Sequence, residues 1–360
     1  MRIFLFILLM TSVVFPQIEF EELLPNANVN EIVSDGKTLW FCTYGQGIHN
    51  FNPEDGTWKS FSTKNENLDN DLFYCIAASK EFVWAGTSDG LYIYDRKRDF
   101  WKKRKFAMGG EFGNWIRSLC YDAEEDMLYI GRFRYMTKLD VKKQRFDDYD
   151  LTVGSEIKTN TFKTIRLEGK EYVWFGTESG AFRYSKKMDL GDKKSLQYFS
   201  NKTNAFRGEG EFVSISEFLF EPNFIWFGTD EFTSKESPNF NLGGIYKFNR
   251  RATWERIDTR NGLPGQGIYT LARVGNYIWA AVYYFDRKEK KEHGRGLVLI
   301  NRMTNEVIRI NPDDIRLASN KINALYFDGA NMWIGAENGL WRVRILNELA
   351  RWTGDQISNY

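Results

Sequence analysis

A short motif that recurs along the whole chain constrains its fold more than any other feature. In residues 83–95 it reads VWAGTSDGLYIYD, where two β-branched and aromatic runs flank a Ser-Asp-Gly turn and predict a β-hairpin. Gly90 can adopt the positive φ of a tight turn, and Gly86, inside a strand, indicates that another backbone approaches closely. Because one such hairpin is only marginally stable alone, its copies must pack on one another.

Seven copies of the motif follow one another at intervals of 44 to 54 residues. Their first aromatic residues are Trp40, Trp84, Tyr129, Trp174, Trp226, Trp279 and Trp333. Each copy is preceded by a short strand with the pattern apolar-x-x-apolar, and a fourth, outer strand is predicted after each. A strand-rich repeat of this length predicts an all-β fold, a seven-bladed β-propeller of four-stranded antiparallel blades.

The two ends of the chain carry separate predictions. Residues 1–16 combine one basic residue with a short apolar run, which is typical of a signal peptide, and residues 17–360 then form a single propeller. The segment after residue 23 aligns with the connection at Leu263, so we predict that residues 17–24 supply the outer strand of the last blade and remove an open sheet edge. The segment around Trp352 is the alternative closing strand. The protein is expected to be exported, to the periplasm or the extracellular space.

Composition narrows the classes of partner. The 49 Lys and Arg residues nearly balance the 48 Asp and Glu residues, which gives no electrostatic reason to expect binding to nucleic acid or to an anionic membrane. No segment after residue 16 is apolar for long enough to cross a bilayer. Cys42, Cys75 and Cys120 lack metal-ligand spacing and are predicted to be buried thiols. We therefore expect a monomer without a metal or another cofactor.

The repeat resembles a known family. The pattern Trp-apolar-Gly-Thr-x-x-Gly-apolar, with connections such as Asn-Gly-Leu at residues 261–263, is similar to the two-component regulator propeller repeat over essentially all of residues 17–360. In that family such propellers are usually periplasmic sensor domains fused to a transmembrane helix and a histidine kinase, and they often sense glycans. This chain shows no kinase segment, so the resemblance implies ligand recognition coupled to a membrane-bound signalling partner in trans.

The candidate site lies on the face that carries the connections between second and third strands and those that enter the inner strands. Residues 230–243 and 283–295 form unusually long connections in blades 5 and 6, and long connections are commonly functional. The second residue of each inner strand differs from blade to blade, which suits an asymmetric ligand. The candidate ligand-binding residues are Tyr74, Trp115, Arg117, Arg132, Arg134, Lys163, Tyr269, Asn323, Tyr283 and His293.

The charged members of this set predict a ligand class. Arginines and a lysine beside an aromatic residue can bind a sugar acid, a carboxylate or a phosphate, because the arginine fork pairs bidentately with such groups. The alternative is that these polar side chains are simply hydrated at a channel mouth.

Catalytic groups are scarce. His49 and His293 are the only histidines, so nucleophile–histidine and metal–histidine arrangements are poorly supplied. The leading hypothesis is a non-catalytic, sensor-like propeller that binds a glycan, a peptide or a partner protein. One alternative is a secreted polysaccharide lyase or hydrolase that uses Arg or Lys, Tyr and a glutamate such as Glu31 or Glu217. A second alternative is a structural scaffold in a surface complex.

Overall fold

In a computed structural model the chain forms seven four-stranded antiparallel sheets around a central channel, which confirms the predicted fold. The structure describes residues 20–65, 68–231, 242–310 and 317–345. The predicted signal peptide and the segment around Trp352 lie outside these ranges. Within them, no helix is long and apolar enough to cross a membrane.

Each blade runs from an inner strand beside the channel to an outer strand at the rim. The described strands begin with β1 (Phe20–Glu22), which belongs to the seventh blade. The strands of blades 1 to 3 are β2 (Val29–Ser34), β3 (Leu39–Thr43), β4 (Ile48–Asn52), β5 (Thr57–Phe61), β6 (Cys75–Ala78), β7 (Phe82–Thr87), β8 (Gly90–Asp95), β9 (Phe100–Arg104), β10 (Ile116–Asp122), β11 (Met127–Arg132), β12 (Met136–Asp140) and β13 (Arg145–Tyr149).

The remaining blades follow the same order. Their strands are β14 (Phe162–Glu168), β15 (Tyr172–Thr177), β16 (Ala181–Ser185), β17 (Leu196–Phe199), β18 (Ile215–Phe220), β19 (Ile225–Thr229), β20 (Ile245–Phe248), β21 (Trp254–Ile257), β22 (Gly267–Val274), β23 (Tyr277–Asp286), β24 (Lys291–Asn301), β25 (Val307–Arg309), β26 (Ile322–Phe327), β27 (Asn331–Ala336) and β28 (Gly339–Arg344). Short 3-10 turns occur at Gly110–Asn114, Ile157–Asn160, Lys193–Ser195, Asn201–Thr203, Ala205–Gly208 and Thr259–Asn261.

The seventh blade is completed from the N-terminal side of the chain. Strand β1 pairs antiparallel with β28, with Phe20 opposite Val343 and Glu22 opposite Trp341. Glu21 also forms an ion pair with Arg342. Residues from both ends of the described chain therefore share one sheet, and β28 is not left as an open edge.

The repeated glycine of the second strand permits close packing between blades. A Cβ added to Gly86 would lie 2.7 Å from the Ile116 side chain of the next blade, and one added to Gly176 would lie 3.0 Å from Ile215. The anchor Trp174 is fully buried in the same interface. In blades 2 and 4 the close approach of the next blade therefore requires a glycine at this position, as the motif predicts.

Carboxylates at the ends of three inner strands join neighbouring blades. Glu221 accepts the indole N–H of Trp226 at 3.0 Å in its own blade and pairs with Arg302 of the next blade at 2.6 Å. The same arrangement occurs at Asp35 and Glu168 in two other blades. Each of these acids links a blade's own tryptophan to the cation of its neighbour.

The inner strands contain a β-bulge that decides what faces the channel. In blades 1 and 3 to 7 the pairing of inner and second strands shifts register at one residue. That residue is Asn30, Arg117, Lys163, Ser216, Tyr269 or Asn323. Both the bulged residue and the one after it line the channel cavity, because a bulge interrupts the usual alternation of side chains.

The long connection of blade 6 differs from the sequence prediction. Residues 283–295 do not form a loop but extend β23 and β24 into a two-stranded ribbon, with Tyr284 opposite His293 and Asp286 opposite Lys291. The Asp286 side chain accepts the backbone N–H groups of Lys288 and Glu289, which stabilises the turn at the end of the ribbon. In the blade 5 connection, residues 232–241 lie outside the described residues.

Candidate functional site at the channel mouth

A cavity of about 460 Å³ occupies the channel and is lined by the inner strands of all seven blades. A shallower cavity of about 350 Å³ lies at the channel mouth. Its lining residues are Asn30, Tyr74, Trp115, Arg117, Lys163, Tyr269 and Asn323. The structure therefore brings together six of the ten candidate residues around one opening.

One side of the mouth is aromatic. Tyr44, Tyr74, Trp115, Phe133 and Phe112 follow one another with ring centroids 5.1–5.7 Å apart, and Trp115 and Phe133 are stacked with an interplanar angle of 5°. The rings at the two ends, Tyr44 and Phe112, are 41% and 48% exposed. We call these five residues the aromatic shelf. It offers ring faces and edges to a ligand that enters the channel.

The cations at the mouth are already paired. Arg117 forms an ion pair with Glu178 at 2.8 Å and also lies against the Trp115 ring. Lys163 pairs with Asp230, which is the first residue of the long blade 5 connection. The expected anion site depended on uncompensated positive charge in this sector, and the structure neutralises both groups within the protein.

Asp230 is the centre of a polar network at the mouth. It accepts hydrogen bonds from Lys163, from the Ser214 hydroxyl at 2.6 Å and from the Tyr283 hydroxyl at 3.0 Å. Burial alone would raise the pKa of the Asp230 carboxyl, but the Lys163 charge and these hydrogen bonds hold it below its ordinary value. Tyr283 is itself buried, so it supports Asp230 and does not face the opening.

The blade 6 ribbon adjoins the same opening. Tyr269 stacks on Tyr283 with centroids 4.4 Å apart, and its hydroxyl donates to Glu292 of the ribbon at 3.0 Å. Burial, together with the Glu292 charge, raises the pKa of the Tyr269 hydroxyl. His293 turns instead toward Glu289 at the end of the ribbon, with Nε2 and Oε2 3.0 Å apart.

The end of the ribbon contains three groups that could in principle contact one metal ion. The ligand atoms of Asp286, Glu289 and His293 lie within 4.8 Å of one another. Asp286, however, already caps two backbone N–H groups, and residues 287, 288, 290 and 291 are all Arg or Lys. Positive charge on both sides of these ligands opposes cation binding there.

Two candidate arginines of blade 3, Arg132 and Arg134, are not among the residues that line the channel mouth. Arg132 is fully buried, donates to the backbone oxygens of Met108 and Gly113, and pairs with Asp148 at 3.0 Å. It therefore fixes the segment before β10 and does not present its charge at the mouth. Arg134 lies half-buried in the turn between β11 and β12 and is not among the residues that line either channel cavity.

The floor of the cavity contains an ionic triad that the sequence did not predict. Arg166 of blade 4 reaches Glu217 of blade 5 at 2.8 Å and Glu31 of blade 1 at 3.6 Å. Glu217 also accepts the backbone N–H of Phe218 at 2.9 Å, and Glu31 accepts that of Ile76 at 2.8 Å. Two carboxylates thus share one guanidinium across the channel.

The two carboxylates of the triad are not equivalent. Burial raises the pKa of Glu31 to about 7; the Arg166 charge opposes this shift, whereas the Glu217 charge adds to it. Near neutral pH, Glu31 therefore titrates between a neutral and a charged form. The signal in the sequence was a glutamate at the third position of two inner strands, VNE and ISE, with an arginine in a third.

The three thiols are close to the floor but chemically quiet. Cys75 and Cys120 line the cavity, and all three cysteines are unpaired. Burial raises the pKa of the Cys120 thiol to about 12 and that of Cys42 and Cys75 well above the ordinary value. Thiolates, the reactive form, are therefore disfavoured at this site.

Comparisons with known proteins give similarity in structure only. No family model matches the chain, and no curated protein sequence matches it. Among solved structures, the extracellular domain of BT4673 from B. thetaiotaomicron, described as a one-component system, superposes with a TM-score of 0.65 at 17% identity over 91% of this chain. This chain spans 40% of the length of that one.

Two further structures share the architecture. Virginiamycin B lyase from Staphylococcus aureus has a TM-score of 0.62 at 13% identity, with 92% of this chain and all of the lyase covered. PorZ, a surface component of the type-IX secretion system of Porphyromonas gingivalis, has a TM-score of 0.61 at 12% identity, with 87% of this chain and 46% of PorZ covered. At these identities the chain shares with all three proteins a β-propeller fold.

Proposed function

We propose that this protein is a non-catalytic binding propeller that takes up a ligand at the channel mouth. The observation that carries the proposal is the asymmetry of the mouth. The aromatic shelf occupies the sector of blades 1 to 3, whereas Lys163, Tyr269 and Asn323 provide polar groups on the remaining sectors. A concave opening with aromatic faces and a few convergent polar groups is the usual form of a small-molecule site.

The chemistry of the mouth favours a polar molecule that contains a ring, such as a sugar residue at the end of a glycan. The apolar face of a pyranose can pack on Tyr74 and Trp115, and its hydroxyls can exchange hydrogen bonds with Asn30 and Asn323. The blade 6 ribbon, held at the mouth by Tyr269 and Glu292, adds a wall on the opposite side. Binding in this arrangement needs no catalytic group.

We place this binding outside the cytoplasm and couple it to a separate membrane-bound signalling protein. The apolar run at residues 1–16 supports export, and the BT4673 structure is the extracellular domain of a protein described as a one-component or a hybrid two-component system. The chain spans 40% of that structure, and a signalling role is therefore proposed from its propeller alone.

The catalytic alternative has weaker support at the same residues. The ammonium of Lys163 is engaged by Asp230, and the raised pKa of Tyr269 keeps its hydroxyl protonated. Glu31 and Glu217 lie at the floor and share Arg166. A general base for attack on a polysaccharide would have to be freed from one of these pairs.

A glycan and metabolite binding screen on the purified protein tests the proposal. For the tightest ligand found, Trp115→Ala is expected to weaken affinity about tenfold or more, because a buried aromatic contact typically contributes that much. Phe100→Ala is the matched control, since Phe100 is 47% exposed on the outer strand β9. Equal affinity of the Trp115→Ala variant and the wild type would place the ligand elsewhere. Turnover of the ligand would favour the catalytic alternative.

A further inference from the structure

The charges that line the channel do not cancel at the floor. Arg117 and Lys163 at the mouth are each matched by one acid, Glu178 and Asp230. At the floor, one guanidinium faces two carboxylates, so the triad of Arg166, Glu31 and Glu217 has one negative charge in excess when both acids are ionised. The channel floor thus presents negative charge to a ligand, whereas the sequence predicted positive charge.

The two acids differ in how well their oxygens are satisfied. Both oxygens of Glu217 have close donors, the Phe218 N–H at 2.9 Å and Arg166 at 2.8 Å. Glu31 uses Oε2 to accept the Ile76 N–H at 2.8 Å. Its Oε1 has, among the described residues, the Arg166 ion pair at 3.6 Å, which is longer than a hydrogen bond. Glu31 Oε1 therefore retains capacity to accept a donor from a ligand.

Glu31 is also within reach of a ligand bound at the mouth. It directly follows Asn30, a mouth residue, and the bulge in β2 turns both side chains toward the cavity. Tyr74 of the aromatic shelf and Glu31 line the same cavity, so a molecule whose ring rests on Tyr74 can direct a substituent toward Glu31.

We propose that Glu31 Oε1 is an anchor for the ammonium group of a cationic ligand whose ring or chain occupies the channel mouth. This inference rests on the proposed binding function and deepens it by naming the ligand charge. An ammonium restores the charge balance of the triad and can donate a hydrogen bond to Oε1, which Arg166 approaches only to 3.6 Å. Arg117 and Lys163 do not require an anionic ligand, because Glu178 and Asp230 already neutralise their charges.

Three small probes with a common six-membered ring test the proposal on the wild-type protein. Cyclohexylammonium, cyclohexanol and cyclohexanecarboxylate differ in charge but scarcely in shape, and each is titrated by saturation-transfer NMR and calorimetry at pH 8. We expect cyclohexylammonium to bind about tenfold or more tightly than cyclohexanol, since charged hydrogen bonds have that effect. Glu31→Gln should abolish this preference, whereas Glu124→Gln in the exposed turn between β10 and β11 should leave it unchanged.

The outcomes separate this inference from the proposed function. Tighter binding of cyclohexanecarboxylate, equal binding of all three probes, or no binding of cyclohexylammonium at tens of millimolar overturns the ammonium anchor. If cyclohexanol or the carboxylate binds and Trp115→Ala removes that binding, the mouth remains the binding site and only the charge assignment fails. The three-probe comparison uses the unaltered protein, so the test does not depend on the folding of a Glu31 variant.

Discussion

The hairpins and the inner strands of the blades belong to the same repeat but serve different purposes. Every hairpin places an aromatic anchor in a blade-to-blade interface, and Trp84, Trp174 and Trp333 are all essentially buried. In each inner segment an apolar residue, such as Val29 or Ile215, precedes two positions that vary from blade to blade and line the channel. The regular part of the repeat thus encloses a cavity whose lining is specific to each blade, and changes in the two parts should have different effects.

The largest expected loss of stability comes from adding a side chain at the glycine of a blade-to-blade interface. Gly176→Val would place a Cβ 2.6 Å from Thr164 and 3.0 Å from Ile215, and overpacking of this kind costs roughly 3 kcal/mol of unfolding free energy. Urea denaturation measures the change. The control is Cys42→Ala, because Cys42 occupies the corresponding position of blade 1 and losing its sulfur should cost only about 1 kcal/mol. Similar losses in the two variants would contradict the special role of the glycine.

A comparably large effect is expected at a buried carboxylate between blades. Glu221→Ala would leave the Trp226 N–H and the Arg302 guanidinium without their acceptor, at a cost of about 3 kcal/mol. Glu124 pairs with Lys170 on the surface, where Glu124→Ala should cost less than about 1 kcal/mol. Thermal and urea unfolding of both variants give the comparison. If Glu221→Ala costs no more unfolding free energy than Glu124→Ala, these acids do not stabilise the packing between blades.

The interfaces between blades could be predicted from the sequence because their residues recur periodically. The spacing of Trp84, Trp174 and the other anchors fixed the number of blades, and Gly86 indicated the close approach that the structure shows. The lining of the channel floor could not be predicted in the same way, because the bulge breaks the alternation of side chains on the inner strands. A regular strand would turn Glu31 away from the channel if Asn30 faced it, whereas the structure turns both toward it.

The polar partners at the mouth could not be predicted from local sequence. Arg117 pairs with Glu178, and Lys163 pairs with Asp230. In each pair the two residues belong to neighbouring blades and lie more than sixty residues apart in the sequence. Arg132 lies at the end of β11 as predicted, but its long side chain points into the protein and donates to the backbone oxygens of Met108 and Gly113. The ribbon at residues 283–295 was missed because its charges resemble those of a loop, although Asp286 is a recognisable turn residue.

The contribution of the channel floor to stability should depend on pH, unlike that of the apolar interfaces between blades. The ordinary pKa of a glutamate is 4.5, and burial raises that of Glu31 to about 7. Between these values the folded protein retains a proton that the unfolded chain has lost, so this contribution to stability is present below pH 4.5 and is lost as the pH rises to about 7. The charged and titratable groups around it are Arg166, Glu217, Cys42, Cys75 and Cys120.

Glu31→Gln removes that proton equilibrium and isolates its effect. Relative to the wild type, the variant should gain on the order of 2 kcal/mol in unfolding free energy between about pH 5 and pH 8, whatever constant offset the substitution introduces. Urea denaturation at the two pH values measures the difference, and Glu124→Gln provides the exposed control. A difference between variant and wild type that stays constant with pH would show that Glu31 has an ordinary pKa in the folded protein.

The smallest expected loss of stability tests whether an inner-strand residue joins two blades or contacts a ligand. Asn323 lies at the mouth, but its amide donates to the Asn28 side chain at 2.9 Å and to the Val29 carbonyl at 3.2 Å, across the junction of the seventh and first blades. Asn323→Ala should therefore cost about 1 kcal/mol of unfolding free energy. Ser216 occupies the equivalent position of blade 5, and its hydroxyl has no hydrogen-bond partner among the described residues, so Ser216→Ala should change stability little.

Ligand affinity then decides between the two roles of Asn323. If the residue only joins the blades, the Asn323→Ala variant should lose stability and bind the screened ligand as tightly as the wild type. If it also contacts the ligand, calorimetry should show weaker binding at a temperature where the variant remains fully folded. Loss of affinity without loss of stability would contradict the structural role that its two hydrogen bonds indicate, because a junction residue cannot be removed without a cost to folding.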